Sequence, residues 1–186
     1  MLDKPAWRTH LFMERKAFSP ELRSAANRKI TESFLSLPEW QNARSVGCYL
    51  ALPDEVQTSA LIETGLQNGK IMAAPVTTHK SEPMHFYQLT SCQNLEPGPL
   101  GIPQPPRDCL LPPDKIDLLV IPGVGFDLLG YRLGYGGGFY DHYLANFAGI
   151  TLGLAFDLQV TERLPVVSYD LPVQILVTES RILHFH

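Results

Sequence analysis

Apolar positions recur along this chain with two different periods. From Lys4 to Ala17 basic and apolar residues interleave as on a helix. Ser19-Pro20-Glu21 then sets out a capping side chain, a proline for the first helical position and an acid for the first turn. Leu22, Ala26, Ile30, Phe34 and Leu37 follow at helical spacing. Ser45 to Ala51 is short and apolar, as a buried strand is, and a loop holding Asp54 and Glu55 comes after it. Thr58 to Asn68 reads as a helix stopped by Gly69. Ile71 to Ala74 and Met84 to Leu89 read as strands. Ile116 to Ile121 is the strongest strand pattern, followed by a long loop and a helix from Phe139 to Asn146. Ile150 to Ala155 and Gln174 to Thr178 close the set.

Strands alternating with helices predict a single α/β domain: a mostly parallel, Rossmann-like sheet with helices on both faces. The 186 residues suit one such domain and suffice for a sizeable core. Hydrophobic residues at 45% and charged residues at 18% are ordinary for a globular chain. The net charge of -4 argues against a nucleic-acid footprint. The apolar runs are too short to span a bilayer, and the N-terminus lacks the apolar core of a signal peptide. Cys48, Cys92 and Cys109 are widely spaced and form no CxxC pair, which fits a reducing, cytoplasmic setting without a disulfide framework. The six histidines show no metal-ligand spacing. A working unit of one chain is expected.

Between Leu95 and Pro113 the prolines 97, 99, 103, 105, 106, 112 and 113 rule out a helix or a central strand. Such a stretch is either a plain surface loop or the rigid wall of a cleft.

The most informative segment runs from Pro122 to Asp141 and contains Gly130, Gly134, Gly136, Gly137 and Gly138. It starts where the strongest strand ends and finishes where a helix begins, the edge at which open parallel sheets bind ligands. Glycines let backbone N–H groups converge on an anion, and the following helix adds the positive end of its dipole. Arg132 adds a charged fork for phosphate. Asp141, one turn into the helix, is an oxygen ligand of the kind magnesium takes. Neither the Walker pattern nor the dinucleotide fingerprint is present.

At these residues the chain resembles the 5-formyltetrahydrofolate cyclo-ligase (5,10-methenyltetrahydrofolate synthetase) family. Pro122-Gly123-Val124-Gly125-Phe126-Asp127, Gly130, Arg132-Leu133-Gly134, Gly136 and Gly138-Phe139-Tyr140-Asp141 fit its signature, P-G-x-[AG]-F-D-x-x-G-x-R-L-G-x-G-x-G-[YF]-Y-D. Lys4-Pro5-Ala6-Trp7-Arg8 resembles an N-terminal element that helps bind ATP. Tyr49-Leu50 with Asp54-Glu55-Val56-Gln57-Thr58 resembles an element whose Glu contacts folate. Gly101-Ile102-Pro103-Gln104-Pro105 resembles a further family loop, and Asp170 with Val177-Thr178-Glu179 resembles the closing element whose Asp lies near magnesium.

The resemblance implies ATP-dependent closure of 5-formyltetrahydrofolate to 5,10-methenyltetrahydrofolate with Mg²⁺, releasing ADP and phosphate. It implies that Arg132 and Asp141 are catalytic. ATP falls to Lys4, Pro5, Ala6, Trp7, Arg8, Arg132, Leu133, Gly134, Tyr135, Gly136, Gly137, Gly138, Phe139 and Tyr140. Folate falls to Leu50, Glu55, Tyr135, Gly136, Gly137, Gly138 and Phe139, and the metal to Asp141 and Asp170. Phosphoryl transfer suits such a set, since it needs positioning and charge neutralisation more than covalent help. The residues alone leave other roles open. Lys4 and Arg8 also fit a solvated helix face, Glu55 a helix cap, and Asp170 a turn before Pro172. The glycine segment also fits a sugar-phosphate isomerase or transferase, or a non-catalytic nucleotide or folate binder.

Overall fold

The N-terminal pattern folds into two helices, the second with the cap read from the residues. The computed structural model describes residues 2–77, 82–92, 94–98 and 103–185. Helix α1 (Lys4–Ala17) begins at Asp3, whose carboxylate accepts from the Ala6 amide at 2.9 Å. Helix α2 (Pro20–Leu35) begins at Ser19, whose hydroxyl accepts from the Leu22 amide at 3.3 Å. Its buried stripe is Ala26, Ile30 and Phe34. Leu37, counted with that stripe from its spacing, lies beyond the helix. Pro38 biases the residue before it away from helical angles, and Leu37 sits at φ -66°, ψ 136°. A short helix unforeseen from the pattern, α3 (Pro38–Asn42), follows and buries Trp40.

Then come β1 (Ser45–Cys48), α4 (Ser59–Gln67), β2 (Ile71–Val76) and β3 (His85–Leu89). The described part of the proline-rich stretch holds only two-residue strands: β4 (Glu96–Pro97), β5 (Pro103–Gln104) and β6 (Leu110–Leu111). Pro99, Gly101 and Ile102 lie outside the described residues, as do His79 and His186. The chain continues through β7 (Leu118–Ile121), β8 (Gly125–Asp127), β9 (Arg132–Leu133), α5 (Phe139–Leu144), β10 (Ile150–Leu154), β11 (Val160–Thr161), β12 (Ile175–Val177) and β13 (Ile182–His184).

The main sheet has the order β13-β12-β10-β7-β1-β2-β3-β6. The strands from β12 to β2 pair in parallel, while β13 pairs antiparallel with β12 on one edge and on the other β3 pairs antiparallel with β2 and β6 with β3. Strand β7 shows why both faces need cover. Leu118 and Val120 point into one apolar cluster with Ile30, Phe34, Trp40 and Leu61. Leu119 and Ile121 point into a second, with Phe86, Phe126, Tyr143 and Leu144. Helices α2, α3 and α4 therefore cover one face and α5 the other, so the period of two in the strand sorts its residues between two cores.

From β1 the chain crosses through α4 to β2 on one side, and from β7 it crosses through α5 to β10 on the other. Strands β1 and β7 are neighbours, so the crevice beyond their carboxyl ends is the switch point of the sheet. At the opposite ends of these strands Asp117 accepts from the amides of Arg44 and Ser45 at 2.8 and 3.0 Å. Burial alone pushes the Asp117 carboxyl up, but these bonds outweigh it and hold it below the ordinary value.

Candidate active site

The segment after β7 is built rather than loose. Strands β8 and β9 form a hairpin that β11 joins as a third strand, structure that its short stretches hid in the sequence. Asp127 sets the turn. It is fully buried and accepts three backbone amides: Leu129 at 3.0 Å, Tyr131 at 2.9 Å and Leu164 at 3.0 Å. Gln159, also buried, donates to the carbonyls of Gly123 and Val124, each at 3.0 Å, and accepts from the Phe156 amide at 3.0 Å. These two side chains lock the hairpin to the sheet and so fix where Arg132 stands.

Arg132 is largely buried and donates to Asp141 Oδ1 at 2.6 Å and to the Pro122 carbonyl at 3.3 Å. Its guanidinium lies 5.5 Å from the centre of the Tyr140 ring. The loop from Gly134 to Gly138 runs between the two partners. Gly138 caps α5 at φ 74°, a conformation that costs an L side chain roughly 1–2 kcal/mol. At Gly134 a Cβ would sit 2.6 Å from Arg132 Nη1, so the bare backbone is what lets the guanidinium lie there. Helix α5 stops at Leu144, short of the expected Asn146. The amides of Asn146 and Phe147 turn back to Tyr143 and Leu144 at 3.3 and 3.1 Å, a tighter winding than an α-helix.

Helix α1 supplies the other cations. Arg8 Nε donates to the Gly134 carbonyl at 2.7 Å, and its guanidinium lies against Gly136. Lys4, one turn earlier, grips both oxygens of Asp170 at 2.5 and 2.7 Å. Neither is a solvated helix face. Asp170 also accepts from the Val167 amide at 2.8 Å, so it is a turn residue and the partner of Lys4 at once. Trp7 packs with Leu11, Val124, Leu133 and Leu164, so both Trp7 and the Leu133 side chain anchor α1 to the hairpin. Pro5 and Ala6 form the first turn of α1.

Across the crevice stands Glu55, 6% exposed. It does not cap α4. Its Oε2 accepts from the Leu52 amide at 2.8 Å, and its Oε1 accepts from the Tyr135 hydroxyl. Burial pushes the Glu55 carboxyl up; the bonds from Tyr135 and Leu52 and the charge of Arg15 oppose it. Burial likewise raises Tyr135 and Tyr140, so both phenols are neutral. Glu55, Tyr49, Pro122, Gly123, Leu154 and Gln159 are among the residues lining a narrow cleft, closed too tightly here to admit a water molecule. Most of them lie just past the carboxyl ends of β1, β7 and β10. Leu50 and Phe139 are half-buried beside the two cores.

Arg15 and Asp54 went unnoticed as site residues in the sequence. Arg15 is buried between Asp54 and Tyr135. A signal was present: Lys4, Arg8, Leu11 and Arg15 recur at intervals of four, three and four, one stripe of α1, and a stripe shared with a buried leucine is not a solvent face.

Among the described residues no three His, Cys, Asp or Glu side chains converge on an ion position. Magnesium seldom uses such a cage; one or two carboxylates plus substrate phosphates are usual. Asp141 suits that role, since Arg132 engages only its Oδ1 and the side chain is 33% exposed. Asp170 suits it once Lys4 lets go, because both its oxygens are now engaged. Cys48, Cys92 and Cys109 are free thiols, and among the described residues no helix is long and apolar enough to cross a membrane.

Fold and site together define an α/β protein with a glycine-rich, cation-lined loop at the switch point of a mostly parallel sheet. Residues 1–179 match the 5-formyltetrahydrofolate cyclo-ligase family. The 5-formyltetrahydrofolate cyclo-ligase of Mus musculus is 31% identical over 190 residues, covering 95% of this chain and 94% of that protein. The Escherichia coli (strain K12) 5-formyltetrahydrofolate cyclo-ligase is 32% identical over 174 residues, covering 90% and 96%. The NMR structure of Aquifex aeolicus 5,10-methenyltetrahydrofolate synthetase superposes with a TM-score of 0.88 at 33% identity, covering 97% of this chain and 92% of that one. The chain belongs to the 5-formyltetrahydrofolate cyclo-ligase family, and it is an enzyme.

Proposed function

We propose that this enzyme closes 5-formyltetrahydrofolate to 5,10-methenyltetrahydrofolate, using ATP with Mg²⁺ and releasing ADP and phosphate. The observation that carries the reading is a repeated pairing of cation with carboxylate. Two cations suited to a triphosphate, Arg132 and Lys4, are each neutralised by a carboxylate suited to its metal, Asp141 and Asp170.

The pairing gives a way to bind the nucleotide. Arg8 and Arg132 both approach Gly134, where unpaired like charges repel, and a carboxylate on Arg132 holds it in place until a stronger anion arrives. The triphosphate takes Lys4, Arg8 and Arg132, with the amides of Gly134 to Gly138 along its length. Asp141 and Asp170 are then released to hold the ion. Magnesium supplies charge neutralisation on the transferring phosphoryl group. Leu50 and Phe139, half-buried beside the two cores, are assigned to apolar contact with the folate, and Glu55 accepts from the donor groups of its pterin.

The chemistry explains the need for ATP. A formamide oxygen is a poor leaving group, and N10 is a weak nucleophile. Transfer of the γ-phosphoryl group to the formyl oxygen gives an iminium phosphate. N10 attacks the formyl carbon and loses its proton, the carbon–oxygen bond breaks, and phosphate leaves with the former formyl oxygen. Substrate carrying ¹⁸O in the formyl group should therefore deliver the label to inorganic phosphate; label appearing in water instead would overturn this route.

A further inference from the structure

Arg15 has no part in the reaction as described, yet it is 1% exposed at the rim of the cleft. Its Nε and Nη2 each lie 2.9 Å from Asp54 Oδ2, and its Nη1 donates to the Tyr135 hydroxyl at 2.9 Å. The rings of Phe12 and Tyr135 flank the guanidinium, with centres 5.2 and 5.7 Å away. The Tyr135 hydroxyl in turn donates to Glu55.

An arginine only donates, so the Tyr135 oxygen is the acceptor and its single proton is left for Glu55. We infer that Arg15 is a positioning residue: by fixing the direction of the Tyr135 hydroxyl it presents Glu55 as a hydrogen-bond acceptor in the cleft, ready for the donor groups of the pterin. This deepens the folate reading of the cleft and rests on it. Each carboxylate oxygen of Glu55 takes one protein donor, which leaves acceptor capacity for a ligand.

The groups around Glu55 give the sign. Burial acts first and favours the protonated acid, and Asp54 acts the same way. Tyr135, the Leu52 amide and Arg15 favour the carboxylate. Tyr49 and Tyr140, the other titratable neighbours, are neutral phenols whose own ionisation Glu55 opposes. Without Arg15 the positive charge is lost and the Tyr135 hydroxyl is free to turn away. Glu55 then holds its proton to higher pH and turns from acceptor to donor at one oxygen.

The test is a pH series of kcat, KM for 5-formyltetrahydrofolate and KM for MgATP, with thermal melting recorded alongside. It compares wild type, Arg15→Met, Arg15→Lys, Tyr135→Phe and the Arg15→Met/Tyr135→Phe double variant. In Arg15→Met, kcat/KM for the folate should fall about tenfold on the acid side and far less on the alkaline side, mostly through KM, with the MgATP KM within about twofold. Tyr135→Phe should move the acid limb the same way, the double variant should add little, and Arg15→Lys should restore most of it. If Arg15→Met only lowers the melting temperature, or lowers activity equally at every pH, the inference fails and the folate reading stands. A wild type that does not bind 5-formyltetrahydrofolate overturns both.

Discussion

Asp141 Oδ1 and Arg132 Nη2 lie 2.6 Å apart, although one sits in the first turn of α5 and the other on β9. The pair straddles the glycine loop. Asp141→Asn keeps the shape and removes the charge, so turnover should fall on the order of 10²-fold while folate affinity changes by less than about threefold. Steady-state kinetics together with equilibrium folate titration check this, and unchanged kcat would remove Asp141 from the metal role.

Gly134 tests the geometry of the loop rather than its charge. A methyl group there meets Arg132 Nη1 at 2.6 Å, and the flexible guanidinium is what gives way. Gly134→Ala should raise the MgATP KM by about tenfold and leave the melting temperature within a few degrees. Gly138→Ala, forced to φ 74°, should lower stability by roughly 1–2 kcal/mol as well. Thermal melts and nucleotide titrations of the two variants separate the effects.

Glu55 should show a conflict between stability and activity. Its folded-state pKa is raised, chiefly by burial, so its contribution to stability is complete below the unfolded value and is lost as pH rises through the folded one. Glutamine does not titrate. Glu55→Gln should therefore melt with wild type in acid and above it at neutral pH, while its KM for the folate rises about tenfold or more. Melting curves across pH show the sign directly.

Asp117 has the opposite sign. Its folded-state pKa is lowered: burial opposes ionisation, but the bonds from Arg44 and Ser45 prevail. Its stabilisation is present above the unfolded value and is lost as pH falls through the folded one. Asp117→Asn should melt below wild type at neutral pH, with the gap closing in acid and catalytic constants untouched, because the residue lies at the far end of the sheet from the site.

The parts of the fold that were legible in the residues are those set by local pattern. Leu118 to Ile121 announce a strand buried on both faces, and Ser19-Pro20 announces the start of α2. The elements that stayed hidden are short. Strands β8, β9 and β11 have two or three residues each, too few for a period to register, and they exist because Asp127 and Gln159 bind backbone far along the chain. The site divides the same way. The glycine segment is contiguous and was read from its motif. The Arg15–Tyr135–Glu55 chain joins residues up to 120 positions apart, and only the closed fold brings them together.

The most direct test of the account mixes the enzyme with 5-formyltetrahydrofolate, ATP and Mg²⁺ and follows the absorbance of the methenyl product. Product is expected only when all three are present, with one ADP released per ring closed. Closure at the same rate without ATP, or ATP hydrolysis with no methenyl product, would contradict it.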